Sequence, residues 1–386
     1  MRAAATPIRY KWSIKSIYTD AIQNYRGTRT NMRHPHARSL HTLSLFLAVA
    51  GLYSTVVTLA HADEVSVHHV RTVFNNGEHN AFTDLTWFKG HIYLTFRSCP
   101  DGHMVFPTSR IIVLKSSTGK EWTQVHAFSV KNRDTRDPHF GELNGTLFVY
   151  TGTWYCGPNK PKVRNINQMV GYGANTKDGK QWSSTFILEG TYGHYVWRTA
   201  TYKNQIYMCG RRTRDFAEVT NLQNRAKLLQ SQILASEDGK RFLPVGTFQE
   251  KDGDETAFMF DDAGAVTAIA RRGRGTAELI TLSPSFQVKA RRELDRYIGG
   301  PFIGRFGEHT LVAGRNIVDG VAKTVICTLV DGKLNTLCEL PAGGDCSYPS
   351  LIQLCPGCVL VSYYSSHEKD NDGNPMTNIY LAELEF

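Results

Sequence analysis

The stretch Thr176-Lys-Asp178-Gly179-Lys-Gln-Trp182 decides the fold because it has two counterparts at a fixed distance. Ser116-Ser-Thr-Gly119-Lys-Glu-Trp122 begins 60 residues earlier, and Ser236-Glu-Asp238-Gly239-Lys-Arg-Phe242 begins 60 residues later. Each follows one apolar run and precedes another, as IIVLK and WTQVHAF do around the first. The chemistry is that of a hairpin turn: a short polar side chain caps it, Gly supplies the positive φ, and the aromatic packs beneath. A single Asp-Gly turn says little, but three in register at one period identify a repeat fold.

A second set of hairpins precedes these turns and continues beyond them. Thr83–Arg97, Asp137–Trp154, Tyr195–Arg212, Glu255–Arg272, Gly300–Arg315 and Tyr348–Ser366 each read as two strands around a tight turn. Each is followed by a further strand pair, which gives six four-stranded units. The last unit ends one strand short, after NIYLAELE, while Val65–Phe74 near the start is a strand without a hairpin partner. If that first strand completes the sixth unit, no sheet edge is left open at the seam. The expected architecture is an all-β, six-bladed β-propeller over residues 63–386, its ring closed by the first strand of the mature chain.

Residues 1–62 read as a leader. Arg33 and Arg38 precede the apolar run Leu40–Ala60, and Ala60-His61-Ala62 is a small-x-small cleavage site, the order of a secretory signal peptide. Met32 offers an alternative start, since the 31-residue basic extension ahead of it is long for such a signal. A membrane anchor is the rival reading, although the run is short for a span. The expected location is secreted or periplasmic, with no membrane span in the mature chain. The leader holds eight Lys/Arg and one acid of the 44 and 35 in the whole chain, so 36 basic and 34 acidic residues remain. A net charge of +2 without a basic stripe argues against nucleic acid as a partner.

All eight cysteines lie beyond the cleavage site, as suits an exported chain with disulfides. Cys327 and Cys338 flank a Val-Asp-Gly-Lys turn and could face one another across it. Cys355-Pro-Gly-Cys358 spans another turn between strands, so a structural disulfide or free thiols are expected there instead of redox chemistry. No paired His or second CxxC stands at ligand spacing, and neither a metal nor a cofactor is expected.

In a blade, the start of the innermost strand and the end of the second lie on the same face. That face should therefore carry Asn80, Asp84, Asp137, Trp197, Arg198, Glu255, Pro301, Asp345 and Tyr348 from strand starts. Strand ends should add Arg97, Trp154, Arg211, Arg212, Arg271, Arg272, Arg315, Tyr363, Tyr364 and His367. Arginine closes the second strand in four of the six units. Guanidinium groups bind carboxylate or sulfate bidentately, so a carbohydrate with an acidic group is the expected partner.

The Ser/Thr-x-Asp-Gly-x-x-Trp turns resemble the Asp-box, or BNR, repeats of the sialidases. The order Glu255, Arg271, Arg315, Tyr348 resembles the order of the sialidase catalytic set, and segments such as RDPHF, VWRTATY and GGDCSYPSL resemble an exported bacterial sialidase-like group. The resemblance implies that Arg271 and Arg315 clamp a sugar carboxylate, with Arg97 or Arg198 as a third cation. It implies Tyr348 as nucleophile, with Tyr363 or Tyr364 as lesser candidates, and Glu255 as its base. Asp84 would be the acid/base, with Asp137 as runner-up, and Asp345, Tyr363 and His367 would add substrate contacts. A neutral phenol suits attack beside a carboxylate, the sialidase exception among glycosidases. The chain departs from the pattern in carrying Ala81-Phe82-Thr83 where Arg-Ile-Pro is usual, Ser98 where an acid often follows the Arg, and Thr118 in place of the first turn's Asp.

The expectation is thus a retaining sialidase-type hydrolase. The alternatives are a non-catalytic glycan-binding propeller, which needs the arginines but no Tyr/Glu pair, and a protein-interaction scaffold.

Overall fold

The computed structural model describes residues 65–159, 164–219 and 222–386; the proposed leader lies outside them. The strands form six antiparallel four-stranded sheets. The first blade comprises His79–Phe88, His91–Cys99, Arg110–Ser116 and Thr123–Phe128 from the centre outward. The second comprises Arg133–Leu143, Thr146–Tyr155, Tyr172–Thr176 and Phe186–Ile187, and the third Tyr195–Tyr202, Gln205–Thr213, Leu229–Ser236 and Leu243–Gln249. The fourth comprises Thr256–Phe260, Val266–Ala270, Glu278–Leu282 and Val288–Glu293, and the fifth Gly299–Phe306, His309–Val318, Val321–Val330 and Lys333–Leu340. The sixth is built from Cys346–Cys355, Cys358–Lys369, Pro375–Glu385 and, outermost, Ser66–Phe74. Each innermost strand touches those of the blades before and after it, the first touching the sixth, so the molecule is a six-bladed β-propeller. Among the described residues, no helix is long and apolar enough to cross a membrane.

The strand Ser66–Phe74 pairs antiparallel with Pro375–Glu385, Ser66 opposite Glu385 and Thr72 opposite Tyr380. Arg71 fastens it further, donating to Glu383 Oε1 at 2.8 Å and to the Gly119 carbonyl at 2.7 Å.

The 60-residue turns owe their shape to side-chain capping. Ser116, Thr176 and Ser236 accept from the amides of Gly119, Gly179 and Gly239 at 2.8–2.9 Å. Asp178 and Asp238 each take two more amides at 2.8 Å, whereas Thr118 takes one at 3.3 Å. The glycines are required twice over. Gly179 and Gly239 have φ of 69° and 74°, and a Cβ would lie 1.9 Å from Tyr93 Oη in one case and 2.6 Å from the Phe148 ring in the other. Both clashing rings belong to the preceding blade, so the turns also set the spacing between blades.

Cys355 and Cys358 are disulfide-bonded across their turn, and Cys327 and Cys338 are not bonded. A register shift between Ile326 and Cys327 places Thr336 opposite Cys327 and Cys338 opposite Ile326, so the two thiols do not meet across the hairpin.

One irregularity recurs and positions the functional groups. Five innermost strands break register near their start: between Ala81 and Asp84, Arg136 and His139, Trp197 and Thr199, Gly299 and Phe302, and Ser347 and Ser350. The bulged residues Phe82, Asp137, Arg198, Gly300 and Tyr348 all have positive φ, from 34° to 65°. Four are not glycine, and each such backbone costs on the order of 1–3 kcal/mol unless its surroundings enforce it. In the fourth blade Glu255 stands immediately before the strand.

Candidate active site

A cavity of about 740 Å³ opens where the bulges converge, lined by Phe82, Asp137, Glu255 and Tyr348 among others. Tyr348 is 8% exposed and donates its hydroxyl to Glu255 Oε1 at 2.6 Å. The other oxygen of Glu255 accepts from Arg271 Nη1 at 2.9 Å and from the Gly300 amide at 3.3 Å. Gly300 is the bulged residue of its blade, and a Cβ there would lie 2.6 Å from the Tyr348 ring. Only glycine lets the fifth blade approach the tyrosine so closely.

The protonation pattern follows from burial and charge. Burial pushes the Glu255 carboxyl up, but Arg271, the Tyr348 hydroxyl and Arg211 together hold it below the ordinary carboxylate range. Burial, and then the charge of Glu255, raise the Tyr348 hydroxyl well above the usual phenol value, against the pull of Arg271. At neutral pH the pair is therefore a neutral phenol bonded to a carboxylate. Asp137 differs: burial first, then the Glu255 charge, raise its pKa to about 8, against Arg136 and Arg97. Its Oδ1 is buried and has no hydrogen-bond partner among the described residues. It is a carboxylic acid held in its protonated form on the cavity wall.

Asp84, expected as the acid/base, does not reach this cavity. It lines a separate space of about 330 Å³ with Arg198 and Phe302. Its oxygens accept from Arg198 Nη1 at 3.1 Å and the Phe140 amide at 2.8 Å. Burial raises its pKa, but His139, Arg198 and that amide outweigh the effect and keep it low. The bulge at Phe82 accounts for the placement: the cavity position in the first blade belongs to Phe82, two residues earlier. Of the two expected acid/base candidates, Asp137 is the one whose carboxyl lines the cavity.

The arginines separate into two groups. Arg97 is fully buried, and its three nitrogens are taken by Asp134 at 2.8 and 3.1 Å and by the carbonyls of Gly102 and Met104. Arg198 is likewise spent on Pro301 O, Asp84 and Pro349 O. Every nitrogen of both side chains is already engaged within the protein, and neither side chain lines the main cavity. Arg271 and Arg315 are about a quarter exposed beside Tyr348 and lie outside the main cavity lining. Arg315 gives Nε to Cys346 O at 2.9 Å and Nη2 to Tyr364 Oη at 3.3 Å, its Cζ 5.9 Å from the Tyr348 ring. Among the described residues, Arg271 Nη2 and Arg315 Nη1 have no hydrogen-bond partner. Phe82 stands against Tyr348 with ring centroids 4.9 Å apart, an apolar group at the Ala81-Phe82-Thr83 departure.

Asp345 lies behind Tyr348 as an anchor. Its Oδ1 accepts from Tyr364 at 2.9 Å, and its Oδ2 meets His79 Nε2 at 2.9 Å and His103 Nδ1 at 2.6 Å. These ligand-type atoms lie within 4.8 Å of one another, the one such grouping found among the described residues. Both imidazole contacts are complete hydrogen bonds to one oxygen, and Arg315 already brings a positive charge to within 3.5 Å of the other, so no metal is assigned. Tyr363 is fully buried and donates to Pro341 O at 3.0 Å. His367 bonds Ser365 and packs on Tyr380, 4.9 Å away. Neither lines the cavity.

Several site residues escape the strand-start and strand-end rule. His79 and His103 reach Asp345 across 266 and 242 residues, and Asp134 and Arg136 flank the bulge at Asp137. Asp254, next to Glu255, bonds Arg211 at 2.6 Å and the Gly273 amide at 3.0 Å, holding the strand that carries Glu255. The Asp-Glu pair was the available signal.

No protein-family model and no curated protein sequence matches the chain. Solved structures do. A Dyadobacter fermentans protein of unknown function superimposes with a TM-score of 0.69 at 19% identity, over 84% of this chain and all of that one. The phage phi92 endosialidase gives 0.61 at 9% identity, over 82% of this chain and 69% of that one. A Trypanosoma rangeli sialidase gives 0.56 at 11% identity, over 81% and 55%. The likeness at these identities is one of fold: the chain is a sialidase-like six-bladed propeller.

Proposed function

We propose that the protein is a sialidase-type glycosidase that removes a terminal acidic sugar with retention of configuration. The observation that carries this reading is the 2.6 Å bond from the buried Tyr348 hydroxyl to Glu255, beside the protonated Asp137. Tyr348 Oη attacks the anomeric carbon as Glu255 takes the phenolic proton and Asp137 protonates the departing oxygen. In the second step Asp137 deprotonates a water, which displaces the sugar, and Glu255 returns the proton to Tyr348. Retention follows from two displacements at one carbon. The free nitrogens of Arg271 and Arg315 face the sugar's carboxylate. Phe82, where a third cation would complete the clamp, favours the second reading, a propeller that binds acidic glycans without cleaving them. The two separate on product release. Sialosides, uronides and sulfated glycosides incubated with the protein and followed by NMR should yield a free acidic sugar whose first-formed anomer has the configuration of the substrate. Binding without any release, or release of the opposite anomer, rejects the hydrolase.

Asp137 sets the expected pH dependence. An acid of pKa about 8 stays protonated through neutrality, so kcat/KM on glycosides with poor leaving groups should fall as pH rises through about 8. Asp137→Asn should lower kcat by about 10²–10⁴-fold on alkyl glycosides and far less on nitrophenyl glycosides, which need no proton. Equal losses on both would remove Asp137 from the acid role. The folded carboxyl keeps a proton that the unfolded one loses near pH 4, so stability should decline between about pH 4 and 8, an effect that Asp137→Asn should abolish in urea titrations.

A further inference from the structure

The cavity is larger and more basic than a terminal sugar requires. Its volume of about 740 Å³ lies in the upper part of the range for sites that enclose ligands of drug size, about 300–1,000 Å³. Its charged groups divide by blade. Glu255 and Tyr348 line it from the fourth and sixth blades, with Arg271 and Arg315 beside Tyr348 outside the lining. Across the channel, the second and third blades contribute Arg164, Arg211 and Arg225, with the rings of Trp154 and Tyr195. Arg164 lies over Trp154 with its Cζ 5.8 Å from the ring, and Arg211 over Tyr195 at 5.3 Å. Arg211 shares Asp254 with Arg271, and its Nε is buried without a partner among the described residues. Burial holds the Arg225 guanidinium below its ordinary pKa, and Arg211 and Arg164 press in the same direction. Besides Asp137, Glu218 is the one carboxyl group among the lining residues of those blades, set against these three guanidiniums and the Asp134-paired Arg136. Cations gathered at such a mutual cost in a concave, aromatic-backed surface are stabilised by an anion.

We propose that this wall is a second anion subsite, so that the substrate is a glycan with another carboxylate or sulfate on the leaving-group side of the cleaved bond. The inference rests on the glycosidase reading for the direction of the chain: Asp137, which protonates the leaving group, stands on the second blade, the same side as the wall. A terminal acidic sugar sits between Tyr348 and the clamp arginines, and the next acidic unit lies on Trp154 and Tyr195 with its anion among the three guanidiniums. Planar guanidinium and indole faces suit a sugar carrying a carboxylate. The substrate class is therefore a polyacidic chain, in contrast to a single acidic sugar on a neutral carrier.

Calorimetry with the full protein tests this. The probes are disialic acid, digalacturonic acid, the two monomers, and sialyllactose as an acidic sugar on a neutral carrier. At least one diacid should bind about tenfold or more tighter than its monomer and than sialyllactose. Arg164→Gln with Arg225→Gln, both away from the core, should weaken diacid binding by about 10–100-fold, the worth of one or two charge-assisted hydrogen bonds. Monomer binding should change less than twofold, and an unchanged thermal melt certifies the fold. The subsite is overturned if neither diacid exceeds its monomer, or if the double variant binds diacids like the parent. The glycosidase reading fails separately: tight, arginine-dependent diacid binding without sugar release keeps the subsite and removes the hydrolase. Sugar release together with diacid binding that is indifferent to the two arginines does the reverse.

Discussion

Tyr348→Phe is expected to reduce kcat by on the order of 10³-fold or more while leaving acidic glycans bound. The substitution removes one oxygen, which donates to Glu255 and is the proposed attacking atom. Loss of a nucleophile disables the whole two-step route and not a single contact within it. The ring stays in place because its supports do not depend on the hydroxyl: Phe82 lies 4.9 Å away, Trp197 6.2 Å and Tyr364 6.0 Å by ring centroids, and the Arg315 guanidinium stacks on it. Glu255 keeps Arg271 and the Gly300 amide, so the cost in stability should be about 1–3 kcal/mol, that of one unsatisfied buried acceptor. Steady-state rates on the best released glycoside, with calorimetric binding of the same compound, separate the two effects. Turnover within tenfold of the parent would exclude Tyr348 as nucleophile, and loss of both turnover and binding would show that the variant had lost its site altogether.

Asp134→Ala should have the largest effect on stability, about 3–5 kcal/mol. Asp134 is fully buried between two arginines, accepting from Arg97 at 2.8 and 3.1 Å and from Arg136 at 2.5 Å. Removing the anion strands two guanidiniums away from water, and breaking a buried pair is far costlier than the pair is worth. Asp295→Ala supplies the contrast. Its partner Arg296 is 2.7 Å away, but Asp295 has 58% of its side chain exposed, so the change should be within about 1 kcal/mol. Urea midpoints of the two variants check the difference, and comparable losses would mean that the Arg97–Asp134–Arg136 group carries no special share of stability.

The blades were legible in the sequence because a turn demands residues locally. Gly179 and Gly239 announce themselves through φ and clearance, and six hairpins with one orphan strand then leave a single arrangement. Tyr348, Glu255 and Asp137 could be placed at one end of the channel by the same reasoning. The bulges were not legible. A strand counted from Thr83 puts Asp84 at the rim, whereas the real strand starts at His79 and bulges at Phe82. One inserted residue reverses which side chains face the cavity, which is why Asp84 lines a separate space while Phe82 faces the cavity that Asp137 also lines. The arginines closing the second strands read alike, yet Arg97 is consumed by Asp134 from the next blade while Arg315 keeps a free nitrogen. That difference is written in partners far away in sequence, where no local pattern reports it.

The pairing of Ser66–Phe74 with Pro375–Glu385 also governs when the site can exist. A ribosome makes the first of these strands some 300 residues before the second. The blade bearing Tyr348 therefore cannot be finished on a partial chain, however well the earlier blades have folded. Contacts of such sequence separation form late, since the intervening chain must be ordered before they are rewarded. Tyr348 and Glu255 thus share a closed ring only once these two strands have paired. A chain lacking either strand holds Arg271, Arg315 and Glu255 in outline but no closed ring, so the Tyr348–Glu255 contact becomes a report that the two strands have found each other.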